Sequence, residues 1–121
     1  MSDMKLGQVI SIVDGTLLFD ADLDMEVPCV CAADLMSDVL AFAEFGSILL
    51  TGLANPQVVR TVEMADIGAI IFVRGKHPPP ETVALAREKG IPLVTTLHTM
   101  FEMCGRLYQA GLRGCDLSCR I

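Results

Sequence analysis

The sequence contains no tryptophan, one tyrosine (Tyr108) and five phenylalanines, so its core cannot be assembled around large aromatic rings. About half of the 121 residues are nevertheless apolar, and the interior must be built from Val, Ile, Leu, Met and Ala. Small aliphatic side chains of this kind suit sheets covered by helices. A chain of this length buries one core, whereas two independent domains would each be marginal in size, so residues 1–121 read as a single domain. Basic residues are scarce as well: nine against fifteen acidic ones give a formal charge of −6. That balance opposes the broad positive footprint by which proteins hold nucleic acid or anionic membrane, and neither is an expected partner.

Long apolar runs are missing too, and no stretch approaches the length needed to span a bilayer. The N-terminal "MSDMKLGQVISIVDG" lacks the basic region, longer apolar stretch and cleavage site of a secretory signal. The expected location is the cytoplasm, where Cys29, Cys31, Cys104, Cys115 and Cys119 stand as thiols or metal ligands rather than as structural disulfides. Paired C-x-x-C knuckles are absent, so spacing assigns no metal ligands. Cys115 and Cys119 with a third ligand remain a conceivable set, while Cys29, Cys31 and Cys104 read as small buried hydrophobes. Neither G-x-G-x-x-G nor G-x-x-x-x-G-K-[ST] occurs, and no cofactor is identified.

What is present is a repeated unit of strand and helix. Residues Met4 to Val13 predict a first helix, and Asp14 to Phe19 a turn and short strand. Val27 to Ala33 predict a buried strand beginning after Pro28. Asp34 then reads as the N-cap of a helix with Leu35, Met36, Val39, Leu40, Phe42 and Ala43 on one face, stopped by Gly46. The alternation continues with "SILLTG", "AIIFVRG" and "IPLVTT" as strands, and "NPQVVRTVEMADIG", "PPPETVALAREKG" and "HTMFEMCGRLYQAG" as helices. Asn55-Pro56, Pro80-Glu81 and the Thr99/Glu102 pair supply start signals; Gly68, Gly90 and Gly111 supply stops. The pattern predicts an α/β fold of right-handed crossovers: a mostly parallel β-sheet flanked by helices in three layers.

In such sheets ligands gather outside the carboxyl ends of the strands. Three strand-to-helix joints fall there, and they bring Thr51, Gly52, Asn55, Arg74, Gly75, Lys76, Thr95, Thr96, His98 and Thr99 to one edge, with Asp34 and Asp38 beside them. These residues could hold a phosphate or carboxylate; equally, Thr and Asn cap helices, glycines serve tight turns, and Arg74 and Lys76 are solvated. His77 and His98 have no local nucleophile, and no paired carboxylates indicate acid–base catalysis. The last helix is apolar over a wide arc (Met100, Phe101, Met103, Cys104, Leu107, Tyr108), which suits burial of one side in the core and another in a second copy, a homodimer.

The stretches "CAADLMSDVLAFAEFGSILLTG", "ADIGAIIFVRGKHPPPETVALAREKGIPLV" and "TTLHTMFEMCGRLYQAG", within residues 29–114, resemble the DRTGG domain. That family occurs alone and as a regulatory segment of some phosphotransacetylases and of proteins carrying CBS modules, and its fold is similar to that of the HPr kinase N-terminal domain. The resemblance is to stand-alone members that accompany iron-only hydrogenase and redox-regulatory proteins. The pattern departs at two joints: Gly52-Leu53-Ala54 stands where the family has Gly-Asp-Arg, and Arg74-Gly75-Lys76 where it has Thr-Gly-Gly. What the resemblance and the loop chemistry imply together is a non-catalytic regulatory module for a small anionic ligand, such as a nucleotide or phosphorylated metabolite. The alternative is an interaction or assembly module whose partner is a redox-enzyme or regulatory protein.

Overall fold

A computed structural model describes residues 4–115. Five strands form one sheet in the order β2-β7-β6-β5-β4, built from β2 (Thr16–Leu17), β4 (Val30–Ala32), β5 (Ile48–Thr51), β6 (Ala69–Phe72) and β7 (Leu93–Thr95). The pairs β4–β5, β5–β6 and β6–β7 are parallel, and β2 closes the far edge antiparallel to β7. Strands β1 (Met4–Lys5) and β3 (Glu26–Val27) make a small antiparallel pair apart from it. The mostly parallel, helix-flanked architecture expected from the sequence is the one observed.

The period-two geometry of a strand sends alternate side chains to opposite faces, and both faces here are apolar. Ile48, Leu50, Ala69, Ile71 and Val94 point to one face, where they pack with Leu6 and Val9 of α1 (Leu6–Ile12) and Met103 and Leu107 of α5 (Met100–Gln109). Leu49, Ile70, Phe72 and Leu93 point to the other, against Val39 of α2 (Met36–Phe42), Val58, Val59 and Val62 of α3 (Pro56–Met64) and Ala86 of α4 (Pro80–Lys89). Crossovers through α2, α3 and α4 thus stay on a single face, as right-handed connections between strands taken in sequence order require. The chain leaving β7 instead turns to the opposite face and forms α5.

Several local expectations are corrected. The first helix is shorter than residues 4–13, because Met4 and Lys5 pair with Val27 and Glu26 as a strand. The stretch 27–33 is not one buried strand: Val27 belongs to β3, and β4 is an edge strand whose Ala32 is exposed. Asp34 does not cap α2; Leu35 occupies that position and the Asp34 carboxylate turns to β5. The apolar face expected on α2 is mostly outside the core, with Val39 and Ala43 buried and Leu35, Leu40 and Phe42 exposed. Helix α3 ends at Met64, before Gly68, through a left-handed Asp66. The caps by Asn55 and Thr99 are as expected, with each side chain accepting from the backbone three residues on (Val58 N and Glu102 N), as is the left-handed stop at Gly90. No helix among the described residues is long and apolar enough to cross a membrane.

Candidate functional site

Successive connections on one face leave no crevice between strand ends; a crevice opens where neighbouring connections part to opposite faces. That parting lies between β6, whose chain goes on to α4, and β7, whose chain goes on to α5. A cleft of about 310 Å³ sits beside it, lined by Asp14, Thr16, Leu18, Gly75, His77, Thr95, Thr96 and Leu97. Its volume is at the lower end of those that enclose small molecules.

The joints around this cleft are tied to one another. Arg74 and Gly75 both adopt left-handed backbone, at φ 59° and 69°, a conformation that a non-glycine residue holds only when its surroundings fix it. Here the Arg74 N–H donates to the His98 carbonyl at 2.7 Å and the Gly75 N–H to the Thr96 carbonyl at 2.9 Å. These bonds lock the second joint to the third. The first joint is held from elsewhere: the Asp34 carboxylate accepts from Thr51 Oγ1 at 2.9 Å and from the Gly52 N–H at 2.7 Å. A Cβ placed on Gly52 would lie 2.5 Å from Nη2 of Arg74, so the guanidinium of the second joint reaches over the glycine of the first.

The structure therefore brings Thr51, Gly52, Arg74, Gly75, Thr95, Thr96 and His98 together and commits many of their hydrogen-bonding groups inward. Thr51 and Thr96 are buried, and the Thr96 hydroxyl donates to the Val13 carbonyl at 2.7 Å. Asn55 and Thr99 spend their side chains as helix caps. Helix α4 begins with Pro80 after Pro79, and neither proline has an N–H to offer. What stays available at the rim is the positive charge of Arg74 and Lys76, both exposed, neither in an ion pair among the described residues. Asp38 lies on the exposed side of α2's first turn.

Asp14, another left-handed residue at φ 51°, forms the cleft's acidic corner. Its Oδ2 accepts from Nη1 of Arg106 at 3.2 Å and lies 3.2 Å from Nε2 of His98. The Arg106 hydrogen bond, with His98 second, holds the Asp14 carboxyl below its ordinary value. A depressed carboxylate stabilises the fold fully above its unfolded value and loses that contribution as pH falls through the folded one. Asp14→Asn is therefore expected to lose less stability than the parent chain on acidification below about pH 4, read as melting temperature against pH.

Sequence reasoning missed Asp14 and Arg106, which reach the site across large sequence separations, and it placed Asp34 at this edge as a helix cap rather than as the acceptor for Thr51 and Gly52. Among the described residues no hydroxyl or thiol bonds to either histidine ring. Burial, the first cause in each case, raises the Cys29 and Cys104 thiols and pushes Cys31 up to about 11, away from the range of reactive thiolates. Cys119 lies outside the described residues.

No protein-family model matches the sequence, and no curated protein is detectably similar to it. The structure does match that of the CBS and DRTGG domains from the regulatory region of a Clostridium perfringens pyrophosphatase, solved with the activator diadenosine tetraphosphate. The TM-score is 0.72 at 17% identity, over 88% of this chain. The fold is DRTGG-like. This chain spans under half (46%) of the solved regulatory chain. The Asp-Arg pair that the resemblance expects after Gly52 is absent at Leu53-Ala54, yet an aspartate and an arginine both meet Gly52 in space, from Asp34 and Arg74.

Proposed function

We propose that this chain is a non-catalytic regulatory module that binds a small anionic ligand, of the nucleotide or phosphorylated-metabolite class, at the strand-end crevice. The observation that carries the reading is the cationic rim: Arg74 and Lys76, in no ion pair among the described residues, stand exposed on a rigidly hydrogen-bonded loop beside the cleft. Charged donors of this kind bind phosphate or carboxylate oxygens more strongly than neutral ones. Support also comes from the similarly folded regulatory region, which was solved with a dinucleoside polyphosphate. The chain acts in the cytoplasm as a homodimer, passing occupancy of the crevice to a protein partner.

A second reading, an interaction or assembly module of a redox system associated with hydrogenase, is supported by the last helix. There Phe101 (88% exposed) and Tyr108 (62%) face outward while Met103 and Leu107 fill the core.

A thermal-shift series with AMP, ADP, ATP, diadenosine tetraphosphate and inorganic phosphate separates the two. A ligand confined to the folded state stabilises it by about 2.7 kcal/mol at a hundredfold excess over Kd, a shift of several degrees. Arg74→Ala/Lys76→Ala is expected to weaken the response about tenfold or more, since each lost charged hydrogen bond removes roughly 1.5–3 kcal/mol. A response unchanged in this variant contradicts the anion site. Partner binding that survives it but fails on Phe101→Ser/Tyr108→Ser favours the second reading.

A further inference from the structure

At the end of the sheet opposite the crevice, three segments distant in sequence converge on one point. Cys29 lies just before β4, Glu44 lies in the turn before β5, and Cys115 follows α5. Cys29 Sγ is 2.9 Å from Glu44 Oε2 and 3.4 Å from Cys115 Sγ, and all three ligand-type atoms lie within 4.8 Å of one another. Cys29 is buried and the other two are half-buried.

Each donor is positioned by its backbone. The Cys29 carbonyl accepts from Ile48 N–H at 3.1 Å, which joins it to β5. Ser47 donates through Oγ and N–H to the Glu44 carbonyl, closing the turn that carries that carboxylate. Gly114 bridges to Val30 in parallel, with Val30 N–H donating to the Arg113 carbonyl and Cys115 N–H to the Val30 carbonyl. The Glu44 N–H points at Cys115 Sγ at 3.4 Å, the outer hydrogen bond by which backbone amides steady a metal-bound sulfur.

We propose that Cys29, Glu44 and Cys115 bind one thiophilic divalent transition cation, Zn²⁺ foremost, and that this cation fastens residues 113–115 to the free edge of β4. The donor chemistry selects the class: two sulfurs favour Zn²⁺ over Mg²⁺ or Ca²⁺, and one carboxylate supplies a third donor that zinc accepts. Tetrahedral Zn²⁺, with Zn–S of about 2.3 Å and Zn–O of about 2.0 Å, spaces sulfurs by about 3.8 Å and sulfur from oxygen by about 3.5 Å. From 3.4 Å between the sulfurs and 2.9 Å between Cys29 Sγ and Glu44 Oε2, these two pairs need move apart by only about half an ångström to accept it. The two thiol protons leave to solvent as the cation enters, and among the described residues these three are the protein donors to the cation. A cation here also shields an edge that would otherwise expose unpaired backbone.

The test is metal analysis and thiol counting on the full chain expressed with zinc and purified without oxygen, followed by Co²⁺ exchange. One equivalent of zinc is expected, lost in Cys29→Ser and in Cys115→Ser, held about tenfold or more weakly by Glu44→Gln, and retained by Cys104→Ser. Should a serine variant fail to fold, the cobalt spectrum of the parent chain decides: a strong sulfur-to-cobalt charge-transfer band is expected. No retained metal, metal retained equally by the Cys29→Ser/Cys115→Ser double variant, a cobalt spectrum without that band, or a Cys29–Cys115 disulfide formed under these conditions would each overturn the proposal. None of these readouts depends on Arg74 or Lys76, so failure here leaves the anion-site reading standing.

Discussion

Phe72→Ala is expected to destabilise the fold by about 3–5 kcal/mol, the range for emptying a fully buried aromatic site. Phe72 has no exposed surface and ends β6, which is flanked on both sides by parallel neighbours. Its ring belongs to the cluster formed with Val58, Val59, Ala86 and Leu93, so both α3 and α4 lose packing at once. Neighbouring backbone cannot collapse into the void without breaking ladder bonds, among them Thr96 N–H to the Phe72 carbonyl. The midpoint of thermal unfolding should fall by on the order of 10 °C or more. Phe45→Ala, at a site 79% exposed, is the matched control and should stay within about 0.5 kcal/mol. Urea denaturation measures both; a Phe72→Ala loss below about 1 kcal/mol would mean that this ring does not organise the centre of the sheet.

Gly52→Ala is expected to do the reverse, sparing the fold and damaging the site. The added methyl would meet Nη2 of Arg74 at 2.5 Å and Cζ at 3.5 Å. A guanidinium at the end of a flexible chain can swing away at little cost, and Gly52 is not held in a left-handed conformation that would penalise alanine. Stability should therefore change by less than about 1 kcal/mol. The displaced charge, however, no longer sits over the first joint, and anion affinity should fall about tenfold, the weight of one charged hydrogen bond. Unchanged affinity with an intact fold would show that Arg74 acts from another position or not at all.

The layered α/β plan was legible because it rests on local signals: apolar runs of four, proline and asparagine at helix starts, and glycine at helix ends. Gly90 illustrates this, since its left-handed stop follows from the residue alone. Where tertiary contacts outweigh local ones, the reading missed. Asp34 looks like a helix cap directly before a helical pattern, but the Thr51 hydroxyl and Gly52 N–H, seventeen and eighteen residues away, claim its carboxylate. Met4 and Lys5 fit a helix until a strand at Glu26–Val27 pairs with them. The joints could be assigned to one edge from the sequence because strand polarity fixes which end carries them. Their hydrogen bonding was not legible, since it depends on which loop lies over which. The convergence of Asp34 and Arg74 on Gly52 is of that kind, as is the meeting of Cys29 with Cys115, eighty-six residues apart.

The most direct test of the anion site is a two-dimensional ¹⁵N NMR titration of the chain with ADP, and separately with inorganic phosphate. The strand-end site predicts saturable amide shifts centred on Gly52, Gly75, Lys76, Thr95 and Thr96, all needing about tenfold or more ligand in Arg74→Ala/Lys76→Ala. Shifts centred on the Phe101 and Tyr108 face of α5, or none at these joints at saturating ligand, would contradict it.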